Sequence, residues 1–161
     1  MFPELFPYLL FLHVMGAILA FGPTFAYSIM GAMAGREPQH ANFSTRQVDA
    51  IAMRLGYPLA IFQGVTGVLL ILSVDYPVMS TTWLLIAIVL YLIALGYGLT
   101  VQRNAVHHLI ELTSTPPPPG TPPSPEIPAT VKRIRRGGTF LGILIVVIVF
   151  LMVVKPQIGT F

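Results

Sequence analysis

Cysteine is absent from the 161 residues, which excludes disulfides, thiolate metal sites and thiol nucleophiles. Charge is nearly as scarce. Asp, Glu, Lys and Arg make up 9% of the chain against 55% hydrophobic residues, where a soluble domain carries about a quarter charged. So few charges cannot cover a water-exposed surface of this size. The low hydrophobicity and high net charge of a disordered regulator are equally missing. No Asp, Glu, Lys or Arg interrupts the long apolar runs, so a transporter with an intramembrane carboxylate relay is not expected. Phosphate-binding loops, hydrolase elbows, zinc-protease motifs and inverted repeats are also lacking, which argues against an autonomous hydrolase. What is present, with a mean hydropathy of +0.78, reads as an integral membrane protein. The expected fold is all-α, a polytopic membrane four-helix bundle forming one domain over residues 1–161.

A crossing helix needs about 20 mostly apolar residues. Such runs lie at about 5–34, 55–74, 83–102 and 137–154. The first is long enough, at about 45 Å, that it must tilt, kink or project, and Gly22-Pro23 in its middle supplies a kink. It lacks the basic n-region of a secretory signal and exceeds the length of an h-region, so it is expected to stay in the mature protein.

Orientation follows from where Lys and Arg fall. Arg36, Arg46 and Arg54 lie between the first two spans, and Arg103, Lys132, Arg133, Arg135 and Arg136 between the last two. The other side carries only Lys155, with Glu4 and Asp75. Both termini are therefore expected outside and both long loops in the cytoplasm. The pI near 9.5 then reflects topology and no nucleic-acid partner is implied. Phe6, Tyr8, Tyr76 and Trp83 gather at the outer ends as interfacial anchors.

The first long loop reads as further helix, capped by Ser44 or Thr45, with Val48, Ile51, Ala52 and Leu55 on one face and Pro58 as a hinge into the second span. Residues 113–130 form a Pro-rich cytoplasmic linker with eight prolines between Pro116 and Pro128, expected as semi-rigid polyproline II. The basic cluster that follows attracts anionic headgroups at about 1 kcal/mol per charge.

On the first span His13, Gly16, Ala20, Pro23, Thr24, Tyr27 and Gly31 share one face, with Leu10, Phe11, Val14, Ile18, Phe21 and Phe25 opposite. His13 alone among span residues titrates in the physiological range, and an ionisable group inside a membrane is a functional candidate. Burial favours its neutral imidazole, which leaves two readings open. It is either a ligand for haem b or copper in the bundle, or an uncharged side chain bonded to Gln63, a tyrosine or a carbonyl. His40, His107 and His108 belong to the cytoplasmic end. Outer-half candidates for a second ligand are Met15, Met79, Met152, Tyr8, Tyr91 and Lys155, with Met79 or Met152 completing a His/Met site. Gln63 and Tyr91 are the side chains expected to fix His13. Gln63 and Thr66 lie one turn apart, beside Gly64 and Gly67, as a polar seam. The last span has no polar residue between Thr139 and Lys155 and is expected to be peripheral or packed through Gly138 and Gly142.

The opening Tyr8-Leu-Leu-Phe-Leu-His13-Val-Met-Gly-Ala-Ile-Leu-Ala-Phe-Gly22-Pro23, the four spans and the closing Met152-Val-Val-Lys155-Pro156 resemble a bacterial family of predicted integral membrane proteins, domain of unknown function 2269. That resemblance implies a multi-pass protein of the bacterial plasma (inner) membrane. The Leu12-His13-x-x-Gly16-Ala17 element is also similar to the first helix of copper-resistance D-type proteins and of J-type protoporphyrinogen oxidases. The latter resemblance implies His13 as an axial haem ligand and Lys155 as the nearest analogue of the relatives' further ligand. Two functions are thus expected. One is binding of haem b or copper through His13, with Gln63, Tyr91 and Lys155 around the cofactor and Met79 or Met152 at the metal, for electron transfer, metal handling or porphyrin oxidation. The other is a non-catalytic structural or assembly subunit, partnered by lipid, another membrane protein or a second copy.

Overall fold

The computed structural model describes residues 2–115 and 124–156, and among these the regular structure is entirely helical. Four helices are long and apolar enough to cross a membrane: α1 Pro3–Arg36, α2 Pro38–Ser73, α3 Thr82–Leu112 and α4 Glu126–Val154. At 34, 36, 31 and 29 residues each exceeds the roughly 20 that cross the hydrocarbon core. Past their apolar runs α2, α3 and α4 continue as helix at the end where the basic residues lie. The apolar runs cross; the overruns build a helical cap beyond them.

The cap explains where the expected boundaries shift. The stretch expected as a helical loop runs without a break into the second span, but Ser44 and Thr45 do not cap it. Helix begins earlier, at Pro38, where proline's missing donor costs nothing. Ser44 Oγ instead donates to the Met30 carbonyl of α1 at 3.4 Å, and Thr45 Oγ1 to Ala41 O at 2.8 Å. The Pro-rich tract lies mostly outside the described residues. Its last part, Glu126 onward, is already α4, with Pro128 in the first turn, where its lack of an N–H is harmless.

There are two π-helical turns among the described residues, Ala52–Gly56 in α2 and Gly98–Gln102 in α3. Pro58 has no N–H for the Arg54 carbonyl, and Tyr57 N–H reaches Ala52 O five residues back. In α3 the Thr100 hydroxyl takes Gly96 O at 2.6 Å, and Gly98 O accepts both Arg103 N–H and the Tyr57 hydroxyl, the latter at 2.9 Å. The widened turn of α3 thus presents one carbonyl, Gly98 O, to the neighbouring helix.

At the opposite end the chain turns tightly from α2 to α3 through Asp75 at φ 52°. Tyr76 meets Trp83 edge to face at 6.3 Å, and the Lys155 ammonium lies 5.9 Å from the Trp83 ring centre. The aromatic anchors expected there are thus drawn together with the last residue of α4's turn.

The bundle is thin. Its buried apolar residues among those described are Ala20, Ala60, Leu84, Ala87, Ala105, Val106, Leu109, Leu144, Ile145 and Leu151; the four alanines let helices approach closely, and many large side chains point outward. Phe11, Ile18 and Phe25 are more than half exposed, as the projection of the first span requires. Gly16 and Ala20 are buried on the opposite face, while Gly31 is exposed and does not belong to it. The last span does not pack through Gly138 and Gly142, which have open space around them. Gly137, one position earlier, is the buried glycine. A Cβ there would collide with Gln102 Oε1 and lie 2.8 Å from the Tyr97 hydroxyl. The spacing of two glycines identifies a motif, but the rotation of the helix chooses which glycine is used.

Candidate functional site

Each neighbouring pair of spans is joined in the same way: a long polar side chain reaches across, and a glycine makes room for it. Between α3 and α4, Gln102 Nε2 donates to Ile134 O at 3.1 Å beside Gly137, with Tyr97 and Phe140 in edge contact at 5.2 Å. Between α2 and α3, the Tyr91 hydroxyl donates to Ala60 O at 2.8 Å, and a Cβ on Gly64 would come within 2.5 Å of that hydroxyl. Between α1 and α2 the joint is His13.

Both imidazole nitrogens are engaged. Nδ1 lies 2.9 Å from Thr66 Oγ1 and Nε2 lies 2.9 Å from Gln63 Nε2. The Thr66 hydroxyl has one proton, and its carbonyl acceptors are Phe62 O at 3.0 Å and Gln63 O at 3.1 Å. With that proton so used, Thr66 Oγ1 accepts from His13, which places the ring proton on Nδ1. Bare Nε2 then accepts from the Gln63 amide. The chain of donors runs in one direction, with no charge needed. This tautomer is assigned from the network, together with the orientation of the Gln63 amide.

Glycines set the distance. A Cβ on Gly67 would lie 3.3 Å from His13 Cε1, and one on Gly16 would lie 2.9 Å from Gln63 Oε1 and 3.2 Å from Phe62 Cδ1. Gln63 Oε1 is buried without a hydrogen-bond partner. It faces the Cα–H of Gly16, a weak donor. Gln63 and Thr66 are 8% and 2% exposed, so water does not compete for either.

Of the residues expected around His13, Gln63 is bonded to it and the others are engaged elsewhere. Tyr91 serves the α2–α3 joint. Lys155 lies over Trp83, Met79 is 84% exposed in the turn before α3, and Met152 is partly buried on α4. Among the described residues no group of three or more His, Asp or Glu converges on a point that would hold a metal. In this arrangement both nitrogens of His13 are taken up by hydrogen bonds.

Sequence reasoning missed most of the cap. Asn42 Nδ2 donates to Ile110 O and Thr113 Oγ1, both at 3.0 Å, and so ties the start of α2 to the end of α3. His107 Nε2 lies 3.3 Å from Asp49 Oδ1 on α2, and His108 Nε2 lies 3.4 Å from Glu126 Oε2 on α4. Adjacent residues on α3 thus reach two different helices. The strongly amphipathic 103–112 segment was the available signal, since its apolar stripe (Ala105, Val106, Leu109) is buried.

A family model described as predicted integral membrane protein (DUF2269) matches residues 7–156, and the chain belongs to that family. No curated protein and no solved structure matches at a significant level.

Proposed function

We propose that this DUF2269 membrane protein is a non-catalytic structural or assembly subunit of a larger membrane complex, whose interior polar residues fasten its own helices. One observation carries the reading: the polar side chains that reach between spans are spent on joints. His13, Gln63 and Thr66 close on one another, and Tyr57, Tyr91 and Gln102 each end on a backbone carbonyl of the next helix. A neutral hydrogen-bond chain that engages both nitrogens of His13 rigidifies a bundle. The membrane is the bacterial inner membrane, with the cap in the cytoplasm and the Asp75–Thr81 turn outside.

The second reading is haem b or copper held by His13, with Gln63, Tyr91, Lys155, Met79 and Met152 as the neighbouring candidates. The likeness of the Leu12-His13 element to copper-resistance D-type and J-type protoporphyrinogen oxidase first helices supports it. So does the orphaned Oε1 of Gln63: rotating that side chain forfeits a single conventional hydrogen bond and frees Nε2. Purification in mild detergent decides between the two. The structural reading expects sub-stoichiometric haem and copper, co-elution with a larger complex, and a His13→Leu variant that is less heat-stable. One haem or copper per chain, lost in His13→Leu, would replace it with the cofactor reading.

The orientation has its own test, made clean by the cysteine-free background. Cysteine at Ser80 should react with an impermeant thiol reagent on intact cells, and cysteine at Gln39 only after lysis. The reverse pattern would sink the charge argument.

A further inference from the structure

The basic cluster at the start of α4 has a directional pattern that the joints do not use. Seen down the helix at 100° per residue, Lys132, Arg133, Arg135 and Arg136 occupy less than half of its circumference. All four are exposed, and the buried Thr130 and Gly137 fall outside their arc. None has a carboxylate within salt-bridge distance among the described residues, where the two ion pairs take Asp49 to His107 and Glu126 to His108. One turn further on the same face becomes apolar and stays exposed: Phe140 at 40%, Ile143 at 58% and Val147 at 38%. Four unneutralised cations therefore sit directly above an outward apolar strip, in the order in which a phospholipid presents its headgroup and its chains.

We propose that this face of α4 binds anionic phospholipid in the adjoining leaflet. Lys132, Arg133, Arg135 and Arg136 hold the phosphate, and the strip below them packs the acyl chains. Arginine matches a phosphodiester through paired N–H donors. The apolar continuation selects a lipid over free phosphate, which would gain nothing from it. The inference does not depend on what His13 does.

Thr139 lies on the same face, exposed and just below the cations, so it reports the local lipid. The full chain carrying Thr139→Cys with a fluorophore would be placed in vesicles containing brominated phosphatidylglycerol or brominated phosphatidylcholine. Quenching then gives the ratio of local binding constants. Phosphatidylglycerol should be preferred, and 0.5 M salt should collapse the preference toward a ratio of one. Each cation removed should lower the ratio by up to about fivefold. Two paired variants, R133Q/R135Q and K132Q/R136Q, each leave enough basic residues at this end to keep the orientation. Equal quenching by both lipids in the unsubstituted cluster would overturn the proposal. So would a preference indifferent to salt, or one that survives both paired variants.

Discussion

His13 and the His107–His108 pair are joined to neighbouring helices by contacts of similar length but unlike kind. His13 meets a hydroxyl and an amide, both at 2.9 Å, within a seam where Gln63 and Thr66 are buried. His107 and His108 face carboxylates at 3.3 and 3.4 Å with their side chains about half exposed, and Glu126 is more exposed still. In the apolar interior a polar group has no water to turn to, so both nitrogens of His13 are paired with neutral side chains, while Gln63 Oε1 is left with only a weak donor. At the cap, water solvates each partner and weakens every charge pair, so the histidines orient helices without locking them. The lesson concerns how polarity is spent: neutral donors and acceptors on buried partners inside, histidine–carboxylate contacts open to water outside.

That contrast can be broken most forcefully at a glycine. Gly64→Ala places a Cβ 2.5 Å from the Tyr91 hydroxyl, a rigid ring that must withdraw and give up Ala60 O. A loss of about 1–3 kcal/mol is expected from detergent unfolding. Gly22→Ala, where nothing lies within 4 Å, should go the other way, gaining up to about 1 kcal/mol from helix propensity. If both substitutions behave alike, the interior is looser than described.

Double-mutant cycles sharpen the comparison between the two histidine settings. The His13/Gln63 cycle to alanine should give a coupling of about 0.6–1.7 kcal/mol, the range for hydrogen bonds between membrane helices, and it should be insensitive to salt. The His107/Asp49 cycle should give a smaller coupling, under about 1 kcal/mol, because both partners reach solvent. A salt-sensitive interior pair, or a cap pair as strong as the interior one, would reverse the assignment of roles.

Much of this protein was legible in its residues, and the reason is local. Hydropathy over about 20 positions marks a span, and 3.6-residue periodicity marks its face. The four crossings, the gathering of eight basic residues at one end and the placement of His13, Gly16 and Ala20 on an inward face therefore needed no neighbours. The Gln63 contact was reachable too, because few side chains in an apolar bundle can satisfy an imidazole. The length of the helices was not. The spacing of Val48, Ile51, Ala52 and Leu55 did mark a helix running into the second span, but the polar sequence past the third span reads as loop, and packing of its apolar stripe, Ala105, Val106 and Leu109, keeps it helical.

What the tertiary structure alone decided is the rotation of each helix about its axis. The sequence offers His13 several partners and α4 three nearby glycines. Choosing Thr66 for Nδ1, Ala60 for Tyr91 and Gly137 over Gly138 and Gly142 takes an angular register that no single helix contains. Rotating a helix by one residue moves every side chain about 100°, so these choices are made together, by the close approach that the glycines permit.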